Sequence, residues 1–175
     1  NKAALGSVAA TYTAQFTDYL RGDHSQEGVA KPFRTRQNAS GVPFILGDFV
    51  NSNPVLIKDS FNGMYGNLNL GGANGYSTFL AAKAARTSVL FAGSNDGMLH
   101  AFKDTKAATA ASALTDGQEI FAYVPRAVYP NLYKLADKTY GTATMEHQFF
   151  VDGPLREADA YVNAPGASTP SWRNY

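Results

Sequence analysis

The sequence predicts a mainly β protein of small antiparallel sheets, as in part of a β-propeller, with short helical inserts. In the stretch Val89–Phe102, two apolar runs flank the connection Gly93–Gly97, a pattern typical of a β-hairpin. Aromatic residues make up 13% of the 175 residues and glycine occurs sixteen times, which indicates strands joined by many tight turns. The chain shows no regular strand–helix alternation, and this argues against a parallel sheet.

The connection within this hairpin supplies the predicted structural turn residues. Asn95 and Asp96 can hydrogen-bond to nearby backbone, and Gly97 tolerates a positive φ. A weaker counterpart is Asp152-Gly153, which follows another apolar run. Both runs of the central hairpin are apolar at nearly every position, so we expect both of its faces to be covered.

The N-terminal part is predicted to be helical. Apolar residues recur at helical spacing over Ala3–Leu20, and Arg21-Gly22-Asp23 is typical of a helix end followed by a turn. Arg-Gly-Asp is also a tripeptide that some integrins recognise, but so short a match often arises by chance, and the helix end accounts for it. The predicted organisation is a helical lead-in over 1–22 and the first propeller blades over 23–175.

The rest of the chain is predicted to alternate short strands with loops. The strands expected outside the hairpin are Val55–Ile57, Gln118–Val124, Gln148–Asp152 and Ala158–Val162, the last two paired with each other. A short helix is expected over Val128–Leu135, where Pro130 lies near the start, and Tyr76–Arg86 fits either a helix or a loop. The expected loops are Gly63–Gly75, Lys103–Asp116 and Ala164–Ser171.

Charge and composition exclude several classes of function. The formal net charge of +1 gives no basic surface for nucleic acid. Cysteine is absent, which removes disulfides, thiolate nucleophiles and cysteine zinc sites. No signal peptide and no apolar run long enough to span a membrane are recognised. The chain begins at Asn1 without Met and stops after an aromatic-rich run, so we expect a fragment of a longer polypeptide.

Four carboxylates could converge at one end of a sheet and bind a hard cation through oxygen ligands. They are Asp48, Asp96, Asp152 and Asp159. An Asp before Gly more often caps its own turn, and His100 on its strand is expected to be a packed histidine. His24 and His147 do not have the spacing of a zinc motif.

The sequence carries no nucleophile elbow, phosphate-binding loop or dinucleotide fingerprint. A carboxylate pair assembled from separate blades stays open as a catalytic alternative. We predict no catalytic, cofactor-binding or metal-binding residue in this chain, and we assign a structural role to the five turn residues. These are Asn95, Asp96, Gly97, Asp152 and Gly153.

Four ordered segments resemble the β-propeller of the PilC/PilY family, the tip-associated adhesins of bacterial type IV pili. They are Leu46–Pro54, Gly93–Phe102, Gly117–Pro125 and His147–Gly153. The resemblance covers nearly the whole chain, although Phe49 and Asn53 differ from the residue types more usual at those positions. It implies the N-terminal portion of a modified seven-bladed, quinoprotein-like propeller.

This resemblance implies a non-enzymatic structural and adhesive module at the pilus tip. Such a module would support pilus biogenesis, attachment to surfaces or host cells, and twitching motility. Its implied partners are pilin and minor pilin subunits, the remaining blades and a host or abiotic surface, with no nucleic acid. Its implied location is extracellular, at the pilus tip or outer-membrane surface of a Gram-negative bacterium.

Some family members bind calcium in a later blade. We therefore expect no cofactor in this segment, with calcium possible elsewhere in the full-length protein. Two alternatives stay open. One is a quinoprotein-like dehydrogenase, because that superfamily uses a similar hairpin, and the other is a periplasmic ligand-binding propeller.

Overall fold

The computed structural model describes residues 13–58, 61–104 and 117–175. Two α-helices are present in these ranges, α1 (Ala14–Leu20) and α2 (Gly75–Ala84). Two 3₁₀ helices span Tyr65–Leu68 and Arg126–Ala136. The strands are β1 (Val55–Ile57), β2 (Ser88–Gly93), β3 (Leu99–Asp104), β4 (Glu119–Tyr123), β5 (Asp159–Asn163) and β6 (Pro170–Asn174).

Strands that follow one another in the chain are neighbours in both sheets. The first sheet has the order β1-β2-β3-β4, and the second pairs β5 with β6. β1 runs antiparallel to β2, with Val55 opposite Phe91, and β5 runs antiparallel to β6. The predicted mainly β fold of small sheets with short helical inserts is therefore confirmed.

The central hairpin forms where the sequence predicts it. Ser94 N–H donates to the carbonyl of Met98 at 2.9 Å, which closes the connection between β2 and β3. Gly97 has φ +92°, a left-handed conformation that L residues rarely adopt. No residue of β2 or β3 is exposed, as expected for strands that are covered on both faces.

Not all of the strands predicted outside the hairpin are present in the structure. Strands lie within the predicted Val55–Ile57 and Gln118–Val124, although all five residues of β4 are exposed. Gln148–Asp152 is not a strand, so that prediction is wrong. Its backbone donors go to side chains instead, from Gln148 to the Tyr140 hydroxyl at 3.0 Å and from Phe150 to Asn95 Oδ1 at 3.0 Å.

The predicted pairing of Ala158–Val162 with Gln148–Asp152 is wrong as well. Its strand, β5, pairs instead with β6, where Tyr161 lies opposite Trp172. β6 begins at Pro170, so the end of the predicted loop Ala164–Ser171 belongs to a strand. Trp172 anchors this strand because its indole N–H donates to the Leu70 carbonyl at 2.9 Å.

The helical predictions also differ in detail. Tyr76–Arg86 is helical for most of its length in α2, whereas the predicted helix Val128–Leu135 is a 3₁₀ helix that contains Pro130. The predicted loop Gly63–Gly75 includes a 3₁₀ turn flanked by left-handed Met64 and Asn69.

α1 supports the helix-end interpretation of Arg-Gly-Asp. Arg21 caps the helix through its N–H, and Gly22 has φ +96°. The first residues of the predicted lead-in, 1–12, lie outside the described residues. Residues 105–116 of the predicted loop Lys103–Asp116 lie outside them too.

The chain divides into two compact units, each with its own interior. The first takes its described residues from 13–52, 93–100 and 122–153. Its core consists of Phe16, Tyr19, Phe33, Leu132, Leu135 and Ala136. The second takes its residues from the described parts of 53–92, 101–121 and 154–175. Its aromatic side chains cluster around Trp172, which contacts Tyr65, Tyr76, Phe79 and Tyr161.

None of the helices in the described ranges has the length and apolar character needed to cross a bilayer.

Candidate functional site

Asn95 ties the hairpin turn to two other segments of the first unit. Its backbone N–H donates to the Asp48 carbonyl at 3.0 Å, and its Nδ2 donates to Asp48 Oδ2 at 3.0 Å. Its Oδ1 accepts from Phe150 N–H at 3.0 Å. Asn95 is only 2% exposed, so these bonds form away from bulk water, where an unmet polar group is costly. A single side chain therefore connects three segments that are far apart in the sequence.

Asp96 serves both its own turn and a neighbouring segment. Its Oδ1 accepts from Met98 N–H at 3.1 Å, the local bond expected of an Asp in a turn. Its Oδ2 accepts from Gly47 N–H at 2.9 Å, and buried His100 places Nε2 within 3.1 Å of both oxygens. A Cβ on Gly47 would lie 2.4 Å from Asp96 N, so only glycine allows this approach. Sequence reasoning missed the role of Gly47, whose requirement comes from a distant segment.

Asp48 and His147 complete this group of residues, which we call the turn cluster: Asp48, Asn95, Asp96, His100 and His147. His147 Nε2 lies 3.0 Å from Asp48 Oδ1, and the Phe149 ring meets the imidazole edge-on at 5.2 Å. Partial burial raises the pKa of Asp48. The hydrogen bonds from Asn95 and His147 outweigh this effect and hold the pKa below its ordinary value.

Replacing His147 with alanine should raise the pKa of Asp48 toward its ordinary value, because a hydrogen bond to the carboxylate is lost. His147 is largely exposed, so the fold should be kept. A depressed carboxyl pKa contributes stability that is present above the unfolded-state pKa and is lost as pH falls through the folded-state pKa. The variant should therefore lose less stability on acidification than the wild type.

Carboxyl chemical shifts followed by NMR across acidic pH measure the Asp48 change directly. Asp137 is the internal control, because hydrogen bonds from Thr139 lower its pKa and His147 plays no part. An Asp48 titration curve that does not move in His147→Ala would contradict the role assigned to His147.

The hydrogen bonds and backbone conformation at Asp152 and Gly153 differ from those of the hairpin turn, which this segment was expected to resemble. Asp152 Oδ1 accepts from Asn51 N–H at 2.9 Å, and the Asn51 side chain donates to the other oxygen. Gly153 does not adopt a left-handed φ, and a Cβ added there would meet no atom of the described residues within 4 Å. Asp152 thus fixes a neighbouring segment, whereas Gly153 has no conformational requirement that the structure reveals.

The four carboxylates considered as cation ligands do not converge. Asp48 and Asp96 lie in the turn cluster, Asp152 bonds to Asn51, and Asp159 belongs to the second unit. Within the part of the chain that the structure describes, no three His, Asp or Glu side chains are grouped to hold a metal ion.

A cleft of about 460 Å³ borders the turn cluster within the first unit. One wall is apolar and exposed, formed by Phe44, Ile45 and Leu46. Across the cleft, the Arg36 guanidinium lies 3.7 Å from the centre of the Tyr19 ring and its Nε donates to Glu27 at 2.6 Å. None of the residues lining the cleft carries an aliphatic hydroxyl or a thiol. The cleft therefore offers apolar contact and hydrogen bonds.

Sequence reasoning also missed a buried charged group in the second unit. Lys83, on α2, is 1% exposed and makes ion pairs with Glu157 and Asp159. A lysine on a helix usually extends into solvent, which is why its burial was not predicted. The available signal was that Lys83 follows Tyr76 and Phe79 at helical spacing, which places all three residues on the buried face of α2.

A four-stranded sheet whose neighbours follow one another in the chain is a feature of a propeller-type β protein. The sequence model described as the PilY1 beta-propeller domain matches residues 46–167, a range that contains the whole turn cluster. The chain belongs to this family, and the resemblance to PilC/PilY propellers is confirmed.

Two relatives are long proteins of which this chain matches a part. A type IV pilus biogenesis factor PilY1 homolog of Xylella fastidiosa is 42% identical over 175 residues, 99% of this chain. The type IV pilus biogenesis factor PilY1 of Pseudomonas aeruginosa strain PAK is 37% identical over 154 residues, 88% of this chain. The chain spans 12% of the length of each. Their names describe biogenesis factors and not enzymes. No solved structure matches the chain significantly.

Proposed function

We propose that the chain is a structural module of a type IV pilus biogenesis factor, and that it acts at the cell surface together with pilus components. The main observation in support of this proposal is that the family match over 46–167 includes every residue of the turn cluster. The relatives named as PilY1 support a pilus role over the dehydrogenase alternative.

The proposed mechanism is rigid display of a surface. The hairpin turn fixes the segment that contains Gly47 and Asp48. Asn95 makes two hydrogen bonds to this segment and Asp96 makes one, all of 3.0 Å or less. The residues just before it expose large apolar side chains, and Ile45 is 63% exposed. An exposed apolar patch on a rigid scaffold is typical of an interaction surface. We propose that this patch contacts pilin subunits or other parts of the same long protein, and through them supports attachment and twitching.

The test uses a piliated bacterium whose biogenesis factor contains this domain. A strain lacking the factor receives the full-length protein as wild type, Ile45→Ser or Val29→Ser. Val29 is the matched control because it is an equally apolar residue, is fully exposed and does not line the cleft. Cellular protein level is measured first, and then sheared surface pili and the width of the twitching zone.

We expect Ile45→Ser to lower surface pili several-fold at an unchanged protein level, with Val29→Ser close to wild type. The exposed position explains why the fold should be unaffected. Wild-type pili and twitching in a strain that lacks the factor altogether would refute the pilus role. Wild-type behaviour of Ile45→Ser alone would refute only the apolar contact surface.

A further inference from the structure

The second unit encloses a lysine against two carboxyl groups. Lys83 Nζ donates to the Phe61 carbonyl at 2.7 Å, to Glu157 Oε1 at 3.2 Å and to Asp159 Oδ1 at 3.2 Å. The side chains of Lys83, Glu157 and Asp159 are 1%, 6% and 0% exposed. The rings of Phe61 and Phe79 lie 5.3 and 5.8 Å from Nζ. The amine and the Asp159 carboxyl are therefore in contact in a site shielded from water.

Two neutral donors hold the oxygens of the Asp159 carboxyl. The Tyr76 hydroxyl donates to Oδ2 at 2.7 Å, and Asn174 Nδ2 donates to Oδ1 at 2.8 Å. Burial and the bond to Asp159 raise the pKa of Tyr76 to about 12, so its hydroxyl keeps its proton at neutral pH. Fixed donors of this kind stabilise negative charge that develops on oxygen when a carbonyl carbon is attacked.

We propose that Lys83 and Asp159 condense to an intramolecular amide bond, and that Glu157 carries the proton this step must move. The proposal is based on three groups in contact. They are the buried amine of Lys83, the buried Asp159 carboxyl that two donors polarise, and the Glu157 carboxylate beside the amine. Each has a defined role in amide formation, and holding the reacting groups together removes most of the entropic barrier.

The reaction needs no further reagent. Proton transfer from the Lys83 ammonium to the Asp159 carboxylate gives a free amine and a carboxylic acid, which removes two buried charges. Nζ attacks Cγ of Asp159, a C–N bond forms, and the oxyanion lies against Tyr76 and Asn174. Glu157 accepts a proton from Nζ and delivers it to the departing hydroxyl, the C–O bond breaks, and one water leaves. No atom is oxidised or reduced.

The condensation changes the charges that the site buries. Two carboxylates face one ammonium there, and the amide removes one charge of each sign, so that Glu157 stays as the single charged group, bonded to Asn174 Nδ2 at 2.8 Å. The bond would join α2 to β5 across 76 positions of the chain. It would close a covalent loop of the chain whose two joined residues both lie in the second unit.

Peptide mass spectrometry tests the proposal on the full-length protein purified from cells. The protein is unfolded and digested with trypsin. We expect a branched peptide in which the segments bearing Lys83 and Asp159 are joined, with a mass one water below their sum. Lys134 is the internal control, because it donates to the side-chain oxygen of Gln148 at 3.0 Å and should appear only in linear peptides.

The wild-type result decides the question without any variant. Separate, unmodified Lys83 and Asp159 peptides would overturn the proposal and leave a buried ion pair. Glu157→Gln keeps the size of the side chain and removes the proton carrier, so we expect it to give at least tenfold less joined peptide. A fully joined peptide in Glu157→Gln would overturn the role of Glu157. Asp159→Ala supplies the unjoined reference.

Discussion

Gly97→Ala is expected to lower the free energy of unfolding of the first unit by roughly 2–5 kcal/mol, one of the larger losses that a single methyl group can cause. Two effects add at this position. Gly97 has φ +92°, and holding an L residue in that region costs about 1–2 kcal/mol. The new Cβ would also lie 2.3 Å from Leu132 Cδ2, a side chain in the core of this unit. Overpacking a core adds roughly 1–3 kcal/mol.

Two other glycines separate these effects. Gly41, also in the first unit, has φ +79° and no atom of the described residues within 4 Å of the position of its missing Cβ, so Gly41→Ala should show the backbone strain alone. Gly153 has no left-handed φ, and a Cβ there would have no neighbour within 4 Å in the described part of the chain, so Gly153→Ala should be close to neutral. Urea unfolding monitored by tryptophan and tyrosine fluorescence gives the three values. If Gly97→Ala costs no more than Gly41→Ala, the contact with Leu132 carries no energy.

The hairpin turn at Gly97 could be predicted from the sequence because the residues that determine it are close together in the chain. The Asp96 bond to Met98 and the φ of Gly97 are decided within five residues, and those residues are visible in the sequence. The failure at Gln148–Asp152 has a non-local cause, because Asn95 accepts the N–H of Phe150 from 55 positions away. An apolar run alone does not show that its backbone donors are already committed to side chains.

The buried lysine illustrates the same limit for the candidate sites. Lys83 belongs to a helix with a positively charged last turn, a common feature of solvated helices. Its partners Glu157 and Asp159 follow more than 70 positions later and are themselves polar residues near a strand. Each residue alone is typical of a surface, and their burial is decided only when β6, which pairs with β5, packs beside α2.

Lys83→Met is expected to destabilise the second unit by roughly 3–5 kcal/mol, because it leaves two buried carboxylates without their cation. Lys138 supplies the control. It is exposed, and among the described residues its side chain makes one hydrogen bond, to the Val29 carbonyl, so Lys138→Met should change stability by less than about 1 kcal/mol. Thermal and urea unfolding compare the two variants. Equal stabilities for Lys83→Met and Lys138→Met would mean that the buried charges are not coupled.

Adding Asp159→Asn to Lys83→Met shows how much of the lost stability comes from the uncompensated carboxylates. If the cost of Lys83→Met comes from uncompensated charge, then adding Asp159→Asn, which removes one of the two carboxylates, should recover part of it. An amide bond would add a separate contribution, since closing a loop of 76 positions stabilises by about 4 kcal/mol through the unfolded chain. Glu157→Gln keeps the lysine and Asp159 but blocks the condensation. Because Glu157→Gln also removes one ion pair of Lys83, a large loss in this variant would indicate the missing covalent loop only where the joined peptide is present in the wild type and absent in the variant. A small loss beside a large one in Lys83→Met would assign the stability to the buried charges.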